Sequence, residues 1–191
     1  MIAALVLAAG LARRMGRQKL LLDLRGKPVV RWTVEGVLAH VSEVVVVTGR
    51  EDAEVRAALA GLAVRYAVNP RPQDGQGTSI ATGIAALKPW TSAALVVLGD
   101  QPRVPATVIP DLVAAQARSS KAIVAPVYRG TRGTPVLFLS VVFPELAALK
   151  GDTGARAVVD ARAERVETVA VDAPMPLDVD TPEDYARLHV E

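Results

Sequence analysis

The sequence predicts an α/β protein built on a doubly wound, mostly parallel sheet, and three observations carry that prediction. Short apolar runs recur at 2–8, 43–48, 64–68, 93–98, 122–125, 135–139 and 166–171. Runs of this length and continuity suit strands covered on both faces. Segments with helical spacing separate most of them, which is the alternation of strands joined by crossover helices. No internal repeat or low-complexity linker breaks the pattern, so the 191 residues are expected to form one domain spanning 1–191.

Taken in order, the first strand ends in Ala8-Ala9-Gly10, small residues where a backbone can approach a ligand closely. A basic, glycine-bounded loop follows, with Arg13, Arg14, Arg17 and Lys19. Gly26-Lys27-Pro28 reads as a turn, with Pro28 at the first position of a helix over 29–39. Trp32, Val34, Val37 and Leu38 are its inward candidates. After the second strand, Glu51, Asp52 and Glu54 place negative charge in the first turn of a helix running to Leu59, favourable against its dipole.

The third strand leads into a loop over 69–77, and Thr78 or Ser79 is expected to cap the next helix, through Ala86 or Leu87. The fourth strand ends in Gly99-Asp100-Gln101-Pro102, and Pro105 opens a helix to Arg118. Strands at 122–125 and 135–139 flank a loop over 128–133. Ser140 is expected to cap a short helix around 144–149, and a Gly151–Gly154 turn precedes a helix over 155–161. After the strand at 166–171, Thr181 and Pro182 read as cap and first position of a last helix through Leu188.

Composition narrows the chemistry. A hydrophobic fraction of 51% with 4% aromatic residues gives an aliphatic interior. The net charge of +2, from 22 basic and 20 acidic residues, argues against nucleic acid as a main partner. With no cysteine there is no thiolate site and no cysteine nucleophile, and two distant histidines make a histidine-rich zinc site an unfavourable reading. The first apolar run is too short for a membrane span. A cytoplasmic protein without membrane association is the expectation.

In open α/β sheets ligands sit beyond the carboxyl ends of the strands, and the Gly10 turn, the Asn69 loop and Asp100 all follow strands. Strand, small-residue turn and cationic loop is a recurring way to hold a nucleotide, although neither the P-loop nor the dinucleotide pattern is present. Asp100 has two readings: a carboxylate placed to hold a divalent cation, or a turn residue bonded to its own backbone before Pro102. Asp178 and Asp180 alternate in an extended segment and would point to one side, or they simply precede a helix start. Ser79 is either a helix cap or a hydroxyl facing a base. Arg132-Gly133-Thr134-Pro135 and Gly151–Arg156 either meet a second substrate or are only turns.

Together these motifs resemble the nucleotidyltransferases of molybdenum cofactor biosynthesis. The likeness rests on Leu7-Ala8-Ala9-Gly10-x-x-x-Arg14-Met15-Gly16-x-x-Lys19, Leu98-Gly99-Asp100-Gln101-Pro102, Arg132-Gly133-x-Pro135, Gly151-Asp152-x-Gly154-Ala155-Arg156 and Asp178-Val179-Asp180-Thr181-Pro182. The resemblance implies a Rossmann-like sheet of the nucleotide-diphospho-sugar transferase type. Ala8-Ala9-Gly10 resembles the cytidylyltransferase branch more than the guanylyltransferase branch, which usually carries Ala-Gly-Gly.

The resemblance also implies CTP and the molybdopterin cofactor as substrates, Mg²⁺ (with Mn²⁺ as a substitute), and a transient molybdoenzyme partner. It places Leu7, Ala8, Ala9, Gly10, Asn69 and Ser79 at the nucleotide, and Arg14 and Lys19 at its triphosphate. Asp100 and Asp180 would hold the metal, with Arg14, Lys19 and Asp100 as the catalytic set. Gln101, Arg132, Gly133, Thr134, Pro135, Asp152 and Arg156 would line the acceptor side. Two positions depart from the family pattern: Ala12 replaces a serine, and Thr134 replaces a histidine. A guanylyltransferase, a nucleotidyltransferase with another phosphate acceptor, and a non-catalytic cofactor carrier are the rival readings.

Overall fold

The computed structural model describes residues 1–10, 18–50 and 52–190. Arg14, with the rest of the basic stretch 11–17, and Glu51 lie outside the described residues. The chain runs β1 (Ile2–Ala8), a hairpin of β2 (Asp23–Leu24) and β3 (Lys27–Pro28), α1 (Val29–Leu38), β4 (Glu43–Thr48), α2 (Ala53–Ala58), β5 (Arg65–Val68) and α3 (Gln76–Ala85). It continues with β6 (Ala93–Leu98), α4 (Val108–Arg118), β7 (Ile123–Tyr128), β8 (Thr131–Arg132), β9 (Val136–Leu139), α5 (Phe143–Ala147), α6 (Ala155–Ala161), β10 (Val166–Val171) and α7 (Pro182–Val190).

The main sheet has the order β10-β7-β9-β6-β1-β4-β5, with β8 on β7. β1, β4, β5 and β6 are mutually parallel neighbours, whereas β9 runs antiparallel between β6 and β7. The expected doubly wound, mostly parallel sheet is therefore present, with β9 reversed inside it and the short β8 reversed alongside β7.

Strand alternation explains both faces. Ala4 and Val6 of β1, Val44 and Val46 of β4, and Leu95 and Val97 of β6 pack with Val30, Val34, Val55 and Leu112 from α1, α2 and α4. Their alternates, Leu5, Val45, Val47 and Ala94, form the opposite face. There α3, α5 and α6 supply Ile80, Leu146, Val158 and Val159, against Phe138 and Ile123. Gly83 lets α3 approach the sheet: a Cβ there would stand 2.9 Å from Val47 Cγ2. A smaller cluster of Leu22, Leu24, Val29, Val179 and Leu188 joins the β2–β3 hairpin to α7.

Several helix starts differ from the sequence expectation. Helix α3 begins at Gln76 with Gly75 as its cap, so Thr78 and Ser79 lie inside its first turn. Gly75 has φ +100°, and Thr78 donates back to the Gly75 carbonyl at 2.8 Å. Helix α4 starts at Val108, because Val108 N–H closes a turn onto the Pro105 carbonyl. Ser140 opens a 3-10 turn ahead of α5 and makes no side-chain cap. Pro28 sits one residue before α1, in extended backbone. Thr181 does cap α7: its hydroxyl accepts from Asp184 N–H at 3.1 Å while Asp184 accepts from Thr181 N–H at 3.0 Å, a reciprocal capping box. The Thr181 hydroxyl also donates to Asp184 Oδ2 at 2.8 Å, and this bond contributes most to holding the Asp184 carboxyl below its ordinary pKa.

Candidate active site

The parallel strands end on one edge, and there the sequence supplies small or polar residues. Ala8-Ala9-Gly10 follows β1, Gly49 follows β4, Asn69 follows β5 and Gly99-Asp100 follows β6. Gly99 is required by a close approach: its N–H donates to the Leu7 carbonyl at 3.0 Å, and a Cβ would meet that oxygen at 2.7 Å. Because β9 runs the other way, the residues that lead into it, Thr134-Pro135, reach this same edge.

Two clefts open there. The first, of about 450 Å³, is lined by Ala8, Ala9 and Gly10 with Gly49, Asp52 and Arg71. Leu7 contributes its carbonyl to Gly99 and packs its side chain into the core. Asp52, in the sequence only a helix-start charge, accepts from Thr48 Oγ1 and Arg56 Nε, each at 2.7 Å.

Asn69 and Ser79 sit beneath this edge, outside the lining of either cleft. The buried Asn69 amide donates to Thr78 Oγ1 at 2.8 Å and Ser79 Oγ at 3.0 Å, and accepts from Arg71 N–H at 2.9 Å. Both amide hydrogens are thus engaged within the protein. Asn69 ties the 69–74 loop to α3.

A charged trio is tied by the chain to both clefts: Gln18, beside Lys19, lines the first, and Gln101 and Asp178, close to Asp100 and Asp180, line the second. Lys19 Nζ donates to Asp100 Oδ2 and, at 2.7 Å, to Asp180 Oδ1. Its side chain is 14% exposed. Burial disfavours the ammonium, but the carboxylates, Asp100 first and then Asp180, outweigh that and raise the lysine pKa. Asp180 reaches the trio because Val179, fully buried, anchors its segment and donates its N–H to the Asp100 carbonyl at 3.2 Å. Among the described residues no cluster of three or more His, Asp or Glu is arranged to hold a metal. Two carboxylates converging on one cation are nonetheless a hard-oxygen donor pair of the kind Mg²⁺ or Mn²⁺ uses together with substrate phosphates.

The second cleft, of about 230 Å³, is lined by Gln101, Arg132, Gly133, Thr134, Arg156 and Asp178. Thr134 Oγ1 donates to Gln101 Oε1 at 2.6 Å, and Gln101 Nε2 donates to Asp178 Oδ1 at 2.7 Å. Burial, followed by repulsion from Asp100, pushes the Asp178 carboxyl above its ordinary value. Tyr128 donates to the Thr134 carbonyl at 2.8 Å, and burial raises the pKa of its hydroxyl. Arg132 and Arg156 share Asp160, at 2.9 and 3.4 Å.

Asp160 and Met175 line this cleft although neither stood out in the sequence. The spacing of Asp160 four residues after Arg156 on one helix was the available signal. Pro135 is buried behind Thr134. Asp152 is on an exposed turn and is not part of the lining.

Comparison with known proteins decides the family, because the MobA-like NTP transferase domain matches residues 4–169. The chain belongs to the MobA-like NTP transferases. It is similar to the purine catabolism protein PucB of Bacillus subtilis (strain 168), 29% identical over 94% of this chain and 91% of that protein. It is 36% identical to a probable molybdenum cofactor guanylyltransferase of Natronomonas pharaonis, over 51% of this chain and 48% of that one.

Among solved structures, Rv0371c of Mycobacterium tuberculosis H37Rv superposes with a TM-score of 0.89 at 31% identity, covering 100% of this chain and 98% of that one. A manganese complex of Rv0371c gives 0.86. A nucleotidyl transferase of Methanothermobacter (Mth528) gives 0.83 at 25% identity, covering 100% and 96%. The fold is that of the nucleotide-diphospho-sugar transferases, and this MobA-like chain is a nucleotidyltransferase. Among the described residues no helix is long and apolar enough to cross a membrane.

Proposed function

We propose that the chain transfers CMP from CTP to the phosphate of the molybdopterin-bound molybdenum cofactor, in the cytoplasm, with release of pyrophosphate. The observation that carries this reading is the Asp100–Lys19–Asp180 trio, whose chain neighbours line both a cleft walled by Ala8-Ala9-Gly10 and a second, mixed apolar and polar cleft. Donor and acceptor would meet where charge must be neutralised. Main-chain groups of Ala8, Ala9 and Gly10 receive the base and ribose, and Asn69 and Ser79 act beneath them by holding the loop. Lys19 and Arg14 hold the triphosphate. Gln101, Arg132, Gly133, Thr134 and Arg156 line the acceptor cleft, with Pro135 behind them and Asp152 on the neighbouring turn.

Asp100 and Asp180 would hold Mg²⁺ or Mn²⁺, which when bound neutralises charge developing on the leaving pyrophosphate. The acceptor phosphate is ionised at neutral pH and attacks the α-phosphorus in line, so no general base is needed. The chain contributes position and positive charge. This fits a site whose described residues include carboxylates, lysine and arginine but neither histidine nor cysteine. A transient complex with a molybdoenzyme would receive the product.

The test is pyrophosphate release with Mg²⁺ and the molybdenum cofactor, with CTP and GTP supplied in parallel. Release with CTP is expected. Release with GTP alone moves the chain to the guanylyl branch, and CTP binding without release leaves a nucleotide site with another acceptor.

A further inference from the structure

The hydrogen bonds beneath the second cleft have a direction. Asp178 as a carboxylate only accepts. Gln101 therefore turns its Nε2 toward Asp178, at 2.7 Å, and its Oε1 toward Thr134. The Thr134 hydroxyl must then donate inward, at 2.6 Å, which leaves its oxygen only lone pairs to offer in the cleft that Thr134 lines. Gln101 is 3% exposed, so this amide is no mobile surface group. The main chain at Thr134 is equally fixed. Tyr128 bonds its carbonyl, Pro135 is buried behind it, and Gly133 lies so close to the Tyr128 ring that a Cβ there would stand at 2.9 Å.

We propose that Asp178 and Gln101 are positioning residues that make Thr134 a fixed hydrogen-bond acceptor, and that the second substrate is selected by an N–H or O–H group turned onto the Thr134 oxygen. This rests on the reading of the second cleft as the acceptor side. A substrate offering only a lone pair at that point meets another lone pair, and the buried amide below cannot rotate without facing its own carbonyl oxygen to Asp178. The apolar wall of Val96, Ala125, Val136 and Val159 provides little alternative hydrogen bonding.

The test uses steady-state kinetics with CTP and the molybdenum cofactor. Thr134→Val should raise the cofactor KM about tenfold, the scale of one buried hydrogen bond, with the CTP KM within about twofold. Thr134→Ser should restore the wild-type value. Gln101→Met should raise the cofactor KM similarly, and adding Thr134→Val to it should change little more. Equal rises in both KM values, no rescue by serine, or additive effects would each overturn the proposal. Absence of turnover by the wild-type chain would refute the acceptor named above and not the relay. The relay is then decided by melting midpoints of Thr134→Val, Asp178→Ala and the double variant: non-additive shifts support it and additive shifts overturn it.

Discussion

Lys19 Nζ stands 2.7 Å from Asp180 Oδ1 while also donating to Asp100, so one ammonium joins three segments far apart in sequence. Asp100→Asn removes one of the two carboxylate partners from this point. Turnover should fall by about 10²–10³, with the far-ultraviolet circular dichroism spectrum unchanged. Pyrophosphate release at the wild-type rate would remove Asp100 from the chemistry.

On the proposed reading a divalent cation would bind between the carboxylates where the ammonium now stands, and the two would compete. Lys19→Met should tighten Mn²⁺ binding to the nucleotide-free protein, read by electron paramagnetic resonance. It should also slow turnover by about 10²–10³, since the triphosphate loses a cation. Unchanged Mn²⁺ affinity would separate the lysine from the metal site.

The same contact has a pH signature. Because the folded-state pKa of Lys19 lies above its unfolded value, its stabilising contribution is complete below the ordinary lysine range and is lost as pH rises through the raised value. Above about pH 10 the melting temperature of the wild type should fall more steeply than that of Lys19→Met. Parallel curves would mean that the trio adds nothing to folding.

Asn69→Ala leaves the Arg71 N–H and two helix hydroxyls without their buried partner. A loss of about 2 kcal/mol is expected by denaturant titration, with a raised nucleotide KM because the 69–74 loop borders the first cleft. A raised KM with unchanged stability would return Asn69 to direct nucleotide contact.

Gly75→Ala forces a side chain into φ +100° and to 2.3 Å from the Gly151 carbonyl carbon. Unfolding should become easier by about 1–3 kcal/mol. An unaltered midpoint would show that the 150–154 turn yields freely.

Strands β4, β6 and β10 and helix α6 were legible residue for residue, since each is an apolar run or a periodic segment bounded by turn formers. The start of α3 was not. Thr78 has the chemistry of a cap, but the dense contact between Gly75 and Gly151 decides where the helix begins, and that contact is tertiary. The β2–β3 hairpin escaped because each strand is two residues long and is held by a cluster with α7. Within the site, Asp100 and Asp180 stood out as carboxylates after strands or before a helix. That Lys19 lies between them, and that Gln101 links Thr134 to Asp178, depends on side chains up to 161 residues apart, for which local pattern holds no signal.

The reversed strand β9 changes how the site can diversify. Thr134 arrives by a hairpin, through the Arg129-Gly130 turn and β8, and no crossover helix lies between β7 and β9. Exchange of residues 129–134 therefore leaves the connections that build the Ala8–Gly10 cleft in place. If the second cleft takes the acceptor as proposed, descendants of one ancestral chain could acquire new acceptors through this hairpin while inheriting the same machinery for the donor.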